Sequence, residues 1–255
     1  MEVFDMNETI KFGQKQDIGG IKMYYEHFGV ENENPTIVFE SGYGCPSSYW
    51  QSIKDEVSKF AKIFVYDRAG IGESEKDGRP QDSKQSVQNL HTLLQKANVK
   101  PPYLLVGHSF GGANVRLYAH TYPEEVAAVI LLDSSHEDQN KIMAPLFSEE
   151  VKAGYFGQFS AEGSEGPLNE FEDSLEQVRN CKSLGNIPLV VVSAGLLSYH
   201  TPESFAAWQL FQRDLTRLST NSKQIIIEDA GHALHIDRPQ TVVDIIKNTL
   251  EEVKE

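Results

Sequence analysis

The stretch Tyr103-Leu104-Leu105-Val106-Gly107-His108-Ser109-Phe110-Gly111-Gly112 decides the fold of this chain. Its first four residues form an apolar run of strand length, and the pattern Gly-x-Ser-x-Gly follows directly. Apolar residues at helical spacing then continue through Ala113, Leu117 and Tyr118. A serine between two glycines at a strand-to-helix turn lies in a strained position that lifts its hydroxyl above the sheet edge. We therefore predict that Ser109 is a catalytic nucleophile rather than the cap of an ordinary glycine-rich turn.

Apolar runs of strand length alternate with helical patterns along most of the chain. The predicted strands are residues 21–28, 36–40, 63–66, 103–106, 129–133, 189–192 and 224–227. Helical patterns lie around residues 50–60, 83–98, 113–118 and 205–218 and again after Asp237, where Asp237 and Gln240 resemble a capping box. Residues 1–20 are polar, and we predict that they are peripheral. This alternation predicts an α/β fold with a mostly parallel sheet covered by helices on both faces.

Residues 136–187 differ in character from the rest of the chain. They contain scattered glycines and acidic residues and no strand-like run. About fifty residues between two strands exceed an ordinary loop, so the segment must carry helices of its own. We predict one domain over residues 1–255, in which 136–187 form a helical lid inserted after the sixth strand, above the ends of the strands.

Length and charge limit the classes of partner. The chain has 255 residues and a formal net charge of −14, with a sequence pI near 5.0. A strongly acidic chain is a poor partner for nucleic acid or for an anionic membrane. No apolar run approaches the roughly 20 residues that span a bilayer. We expect a small-molecule substrate, no nucleic-acid partner and no membrane span, and the sequence carries no signal for an oligomeric state.

The sequence predicts no cofactor and no metal. Residues 107–112 lack the Gly-x-Gly-x-x-Gly pattern of a dinucleotide-binding turn. The adjacent residues His136, Glu137 and Asp138 are poorly spaced for chelation, so solvated charge is the simpler interpretation. Cys45 and Cys181 lie far apart without metal or redox spacing, which favours free thiols, although a disulfide stays an alternative. With no basic or apolar leader at the N-terminus, we predict a cytoplasmic protein.

A serine hydroxyl needs a base that removes its proton. His232 is the strongest candidate, because it follows a predicted strand and Gly231 and precedes the last helix. The alternative is a loop histidine that only packs. His235 is a weaker rival, and His108 lies inside the turn, where its side chain would point away from the substrate.

These residues resemble the α/β-hydrolase family over essentially the whole chain. The matching pieces are Gly107-His108-Ser109-Phe110-Gly111, Tyr66-Asp67-Arg68-Ala69-Gly70-Ile71-Gly72-Glu73-Ser74, and Gly231-His232 followed by Asp237 and Pro239. The resemblance implies an eight-stranded sheet, Ser109 as nucleophile and His232 as general base and then acid. It also implies an oxyanion hole from the Phe110 N–H and a second N–H, best matched by Tyr43, which is alternatively only a wall of the substrate pocket. The resemblance implies an architectural role for Asp67 and Arg68.

The acidic partner of the histidine departs from the commoner pattern of the family. Many members carry Asp shortly after the strand that matches residues 189–192, but residues 193–200 of this chain contain no carboxylate. Some members place the acid at the end of the preceding strand, 24 residues after the nucleophile, and Asp133 occupies that position. We therefore predict Asp133 as the acid. Glu203, reaching back from the following segment, and a Ser-His dyad stay alternatives.

These residues together predict a serine hydrolase that cleaves a small or medium carboxylic ester, lactone or thioester through an acyl-enzyme on Ser109. A serine nucleophile argues against the dehalogenases and epoxide hydrolases of this fold, which use Asp. A peptidase or amidase stays possible, as does a scaffold with a dead site. The alternative from another class is a ligand sensor that keeps the fold and the triad for slow turnover.

Overall fold

The computed structural model describes residues 13–159, 166–198 and 200–253. Within this part of the chain, eight strands form one sheet in the order β1-β2-β4-β3-β5-β6-β7-β8. The strands are β1 Gln14–Asp17, β2 Lys22–Gly29, β3 Thr36–Glu40, β4 Lys62–Tyr66, β5 Tyr103–His108, β6 Val126–Leu132, β7 Leu189–Ala194 and β8 Ser222–Ile227. Strands β1 and β2 are antiparallel to their neighbours, and every other pairing is parallel. The mostly parallel, eight-stranded sheet predicted from the sequence is confirmed.

Helices fill the connections between the strands. The α-helices are α1 Lys54–Ser58, α2 Ser83–Lys96, α3 Phe110–Thr121, α4 Glu149–Gly157, α5 Gly166–Arg179, α6 Pro202–Leu215, α7 Leu234–Asp237 and α8 Pro239–Glu252. Short 3-10 helices are formed by Ser47–Trp50, Pro123–Glu125, Ala144–Leu146 and Thr216–Leu218, and a π-helical turn by Gln139–Met143. The single helix predicted over residues 50–60 is thus a 3-10 turn followed by the short α1.

Each face of the sheet has its own apolar core. On one face, side chains of the central strands such as Val38 and Leu105 pack with α2 and α3. On the other face, their chain neighbours such as Ile37 and Leu104 pack with α1 and α8. Because successive side chains of a strand point to opposite faces, a strand covered on both faces is apolar throughout. This is why the central strands appear in the sequence as continuous apolar runs.

Two local predictions are corrected by the structure. Residues 14–17, within the stretch predicted to be peripheral, form the edge strand β1, a strand that was not predicted; residues 1–12 lie outside the described part. Strand β1 carries the sequence Gln-Lys-Gln-Asp and has no buried residue, so apolar periodicity could not indicate it. The capping box is also wrong: helix α8 begins at Pro239 and has no side-chain cap. The Asp237 carboxylate instead accepts the N–H of Gly231 at 2.8 Å, and Gln240 donates to Asp244.

The carboxyl ends of the parallel strands bring the candidate residues to one edge of the sheet. Strand β3 leads into the loop with Tyr43, β5 into Ser109, β6 into Asp133, and β8 into the loop with His232. The described residues of the segment 136–187 lie between β6 and β7 and carry the π-helical turn, the 3-10 helix, α4 and α5. In open α/β sheets, ligands bind at this edge.

Candidate active site

Ser109 lies in a strained turn between β5 and α3. Its backbone angles are φ 53° and ψ −121°, a conformation that residues with a Cβ rarely adopt. A Cβ at Gly107 would lie 2.5 Å from the carbonyl oxygen of Gly111, and a Cβ at Gly111 would lie 2.1 Å from that of Glu40. Both positions therefore require glycine for close backbone packing. The Ser109 N–H donates to the carbonyl of Leu132 at 3.0 Å, which attaches the turn to strand β6.

Asp133 and His232 meet at the edge of the sheet. The Nδ1 atom of His232 lies 2.6 Å from Oδ2 of Asp133, so the protonated Nδ1 donates to the carboxylate. Asp133 is buried and has a backbone φ of 43°, which directs its side chain from the end of β6 toward the loop after β8. The His232 side chain keeps 37% of its accessible surface. In the neutral imidazole, a proton held on Nδ1 by the carboxylate makes Nε2 the acceptor, which is the tautomer that a general base needs.

The second oxygen of Asp133 is held by two further donors. The indole Nε1–H of Trp208 donates to Oδ1 at 2.9 Å, and the backbone N–H of Ala194 donates to the same atom at 3.1 Å. Hydrogen bonds from three donors fix the orientation of this buried carboxylate. Trp208 comes from α6 and Ala194 from the end of β7, so two elements distant in sequence hold the acid of the pair.

Two buried histidines lie behind His232. The Nε2 atom of His108 lies 2.9 Å from the carbonyl oxygen of His232, to which it donates as the Nε2–H tautomer. Burial is the main reason that the pKa of His108 is well below its usual value. His235 was the weaker candidate for the base. It packs against Trp50 with ring centroids 4.5 Å apart. Burial lowers its pKa to about 4, and neither His108 nor His235 lines the cavity described below.

The loop after β3 is clamped by Arg68. Its guanidinium donates to the carbonyl oxygens of Ser41 and Gly42, and it pairs with the buried carboxylate of Glu40 at 2.8 Å. Glu40 also accepts from the side chain of Asn114 on α3 at 2.9 Å. The clamp therefore joins the loop before Tyr43 to the helix that starts after Ser109. This agrees with the architectural role that the resemblance implied for Arg68.

Asp67 holds the other side of the same loop. Its carboxylate accepts the N–H of Ser47 at 2.6 Å and the N–H of Glu73 at 2.8 Å. Asp67 does not line the cavity and is buried. Its hydrogen bonds explain why the stretch 66–74 appears as a motif: the chain turns around one buried carboxylate.

Tyr43 and Phe110 lie together beside the serine. Their rings meet edge to face with centroids 5.6 Å apart. The Phe110 N–H is the first of helix α3, where helix geometry gives the amide no acceptor within the helix. Burial raises the pKa of the Tyr43 phenol, which keeps it neutral. Tyr43 lines the cavity, and both predicted roles, a wall of the substrate pocket and the second oxyanion donor, stay predictions.

All five predicted site residues line one cavity of about 570 Å³. These are Ser109, His232, Asp133, Tyr43 and Phe110. The other lining residues from the segment 136–187 and from α6 are mostly apolar or aromatic, and they include Met143, Phe147, Val151, Tyr155, Phe159, Phe171, Phe205 and Trp208. Glu203, the alternative acid, lies in the first turn of α6, is exposed and does not line the cavity.

The three residues considered as a metal cluster each have another contact. His136 stacks on Phe211 with ring centroids 4.4 Å apart. Glu137 pairs with Arg116 at 2.9 Å, and Asp138 pairs with Arg179 at 2.8 Å. In residues 13–159, 166–198 and 200–253, no group of three or more His, Cys, Asp or Glu side chains is placed to hold a metal ion.

Cys45 and Cys181 are free thiols, and burial raises the pKa of each. No helix in the described part of the chain has the length and apolar character needed to cross a membrane.

Trp208 is the site residue that sequence reasoning missed. Its place in the pattern of α6 indicated only a core position, since an indole that packs and an indole that donates to a carboxylate have the same periodicity. No signal in the sequence indicated the hydrogen bond from Trp208 to Asp133. His108 was expected to point away from the substrate, but its bond to the carbonyl of His232 was not foreseen.

Comparisons with known proteins identify the family and the fold of the chain. The family model for the alpha/beta hydrolase fold matches residues 35–175. The uncharacterised protein YqjL of Bacillus subtilis (strain 168) is 35% identical over 211 residues, which cover 81% of this chain and 80% of that protein. A thermophilic esterase from Thermogutta terrifontis has a TM-score of 0.69 at 18% identity, covering 95% of this chain and 99% of the esterase. The epoxide hydrolase CorEH also has a TM-score of 0.69, at 17% identity, covering 95% of this chain and 99% of the epoxide hydrolase.

Proposed function

The chain belongs to the α/β-hydrolase fold family, and within it we propose that this protein is a serine hydrolase that cleaves a small or medium carboxylic ester through an acyl-enzyme on Ser109. One observation carries the proposal: Asp133 holds Nδ1 of His232 at 2.6 Å, in the cavity that Ser109 also lines. An esterase and an epoxide hydrolase have the same TM-score to this chain, so the fold alone does not choose the chemistry. A serine rather than an aspartate at the turn favours acyl transfer over epoxide opening.

The first half of the reaction forms the acyl-enzyme. Nε2 of His232 takes the proton of the Ser109 hydroxyl as its oxygen attacks the ester carbonyl carbon. Asp133 stabilises the resulting imidazolium through Nδ1–H and is not itself protonated. The backbone N–H groups of Tyr43 and Phe110 are the proposed donors to the oxyanion of the tetrahedral intermediate. His232 then gives its proton to the leaving alcohol, and the carbon–oxygen bond of the ester breaks.

The second half of the reaction releases the acid. A water molecule gives a proton to His232 and attacks the acyl carbonyl carbon. Collapse of the second tetrahedral intermediate breaks the bond to the Ser109 oxygen, which recovers its proton from His232. In this half, His232 again acts first as the base and then as the acid. A lactone or a thioester is cleaved by the same steps, because each also has an acyl carbonyl that the serine can attack.

The segment 136–187 acts in this proposal as a lid. Tyr155, Phe159 and Phe171 from this segment line the cavity. Its two ends are tied to each other and to the core: Arg179 pairs with Asp138, and Arg116 of α3 pairs with Glu137. An apolar wall of this kind excludes water from the reacting carbonyl and strengthens the electrostatic interactions at the site.

A fluorophosphonate probe and p-nitrophenyl acetate together test the proposal. We expect the probe to label the wild-type protein at Ser109 and not the Ser109→Ala variant, and the acetate to be turned over continuously. Absence of labelling at Ser109 in a folded protein would overturn the proposal and favour an inactive scaffold. A single burst followed by very slow deacylation would overturn the enzyme proposal in favour of a ligand sensor that captures its ligand covalently.

A further inference from the structure

The cavity of this protein has an aromatic wall beside the proposed oxyanion hole. The Tyr43 ring contacts Phe159 and Phe171 edge to face, with centroids 4.9 Å and 5.7 Å away. The ring centroids of Phe159 and Phe171 lie 4.6 Å apart, and Phe110 belongs to the same cluster. Tyr43 and Phe110 also supply the proposed oxyanion donors, so the wall lies next to the place of the ester carbonyl. A planar apolar group attached to that carbonyl fits edge-to-face packing of this kind.

The charged side chains that line the described part of the cavity are carboxylates. Among the described residues that line it, the carboxylates are Asp133 and Glu150, and none is a lysine or an arginine. The Asp133 carboxylate already accepts hydrogen bonds from His232, Trp208 and the Ala194 amide. Glu150 lies in the first turn of α4 and is exposed, so its carboxylate stands where the cavity opens to solvent.

The histidine His200, two tyrosines and the nearby Arg68 do not give the cavity a positive charge that a substrate could use. Burial lowers the pKa of His200, which also lines the cavity, and so keeps it neutral near pH 7. The phenols of Tyr43 and Tyr155 have raised pKa values, chiefly because of burial, with a further contribution from Glu170 and Glu172 respectively. The guanidinium of Arg68 lies over the Phe110 ring, 5.5 Å from its centroid, and does not line the cavity. It is already bonded to Glu40 and two carbonyls.

A carboxylate on the substrate therefore meets no lysine or arginine among the described residues that line the cavity. It would lose its hydration on entering an apolar cavity, and no cation among the described lining residues compensates for that loss. It would also pass Glu150, whose like charge opposes entry, although salt screens this contribution. An uncharged substrate of the same size avoids both costs.

We propose that the substrate of this site is an uncharged ester with an aryl or similar planar apolar group near the scissile carbonyl, and that carboxylate-bearing esters are rejected. This inference rests on the proposed function and adds to it the chemical class of the substrate. It identifies Phe159 and Phe171 as the residues that bind the apolar group and Glu150 as a residue that selects for charge at the mouth.

Three matched esters test the inference. They are ethyl 3-phenylpropanoate, its para-carboxamide and its para-carboxylate, of which the last two differ in charge and hardly in size. We expect kcat/KM for the carboxylate to be roughly 100-fold below that for the carboxamide, because burying a charge without an oppositely charged partner is strongly unfavourable. Similar values for the two would overturn the inference.

Two variants on α4 test whether Glu150 is the residue that disfavours the carboxylate substrate. Glu150→Gln should raise the ratio of carboxylate to carboxamide kcat/KM about two- to fivefold at low ionic strength, and less at high ionic strength. Glu149→Gln removes the same charge from an adjacent exposed residue that does not line the cavity, and it should move the ratio less. Equal effects of the two variants would overturn the assignment of Glu150.

The proposed function and this inference fail in different ways. If p-nitrophenyl acetate is turned over and Ser109 is labelled, but none of the three phenylpropanoates is cleaved, the substrate class is wrong and the serine hydrolase stands. If Ser109 is not labelled and no ester is cleaved, the proposed function itself is wrong.

Discussion

The indole Nε1 of Trp208 lies 2.9 Å from Oδ1 of Asp133, while Nδ1 of His232 lies 2.6 Å from the other oxygen of the same carboxylate. Trp208 is buried, and its ring centroid is 6.1 Å from that of His232. The tryptophan thus holds the acid from one side as the acid holds the imidazole on the other. This relationship gives the carboxylate at the end of β6 a second side-chain partner, in a chain whose residues 193–200 contain no carboxylate.

Replacing Trp208 tests this relationship. Trp208→Phe keeps an aromatic ring and removes the N–H, so we expect kcat to fall about tenfold as the carboxylate loses one of its donors. The effect should disappear when Asp133 is already Asn, because two residues that act through one contact are not additive. Steady-state kinetics of both single variants and the double variant measure this. Additive losses would show that Trp208 acts by packing alone.

The acid itself is tested with a matched pair of carboxylates. Asp133→Asn should lower kcat roughly 10³- to 10⁴-fold with the fold intact, because the amide no longer stabilises the imidazolium or its tautomer. Glu203→Gln should leave kcat near the wild-type value, since Glu203 is exposed and outside the cavity. Circular dichroism checks the fold of each variant. The opposite pattern would move the acid to Glu203.

His108 is expected to position the base through the backbone. His108→Leu removes the donor to the His232 carbonyl, so we predict a fall in kcat of about tenfold with a smaller change in KM. His108→Gln places an amide N–H near the former Nε2 and should restore much of the lost kcat. Equal losses in the two variants would show that the imidazole serves only to fill space.

Stability should fall on acidification because of His235. Its pKa drops from 6.5 to about 4 on folding, chiefly through burial, so the unfolded chain binds the proton more tightly. Stability from this group is therefore fully present above about pH 6.5 and declines as the pH falls toward 4. At pH 5 the loss relative to pH 8 is about 2 kcal/mol. His108 adds a loss of the same sign, because burial also lowers its pKa.

Urea unfolding at pH 8 and pH 5 measures this dependence. His235→Phe keeps a ring against Trp50 and cannot be protonated, so its drop in the free energy of unfolding should be about 2 kcal/mol smaller than that of the wild type. An equal drop in both proteins would contradict the assignment of the acid sensitivity to His235.

The sequence was sufficient for the central strands of the sheet and for the serine turn. The central strands are continuous apolar runs because both faces are covered, and the turn at Ser109 requires glycines at 107 and 111 because two backbones approach there. Each of these signals is local in the chain. The edge strand β1 was missed for the same reason, since exposed strands carry no apolar pattern.

Only the tertiary structure decided which residues meet. Asp133 and His232 are 99 residues apart, and whether they touch depends on the order of the parallel strands and on the φ of 43° at Asp133. The donor from Trp208 and the clamp of Arg68 on the loop before Tyr43 likewise join elements far apart in sequence. Hydrogen bonds of this kind depend on distances and angles in space, whereas the sequence specifies residue types and local spacing. The sequence thus determined the serine and the fold around it, and the packing of α6 and the loop after β8 determined the partners placed near it.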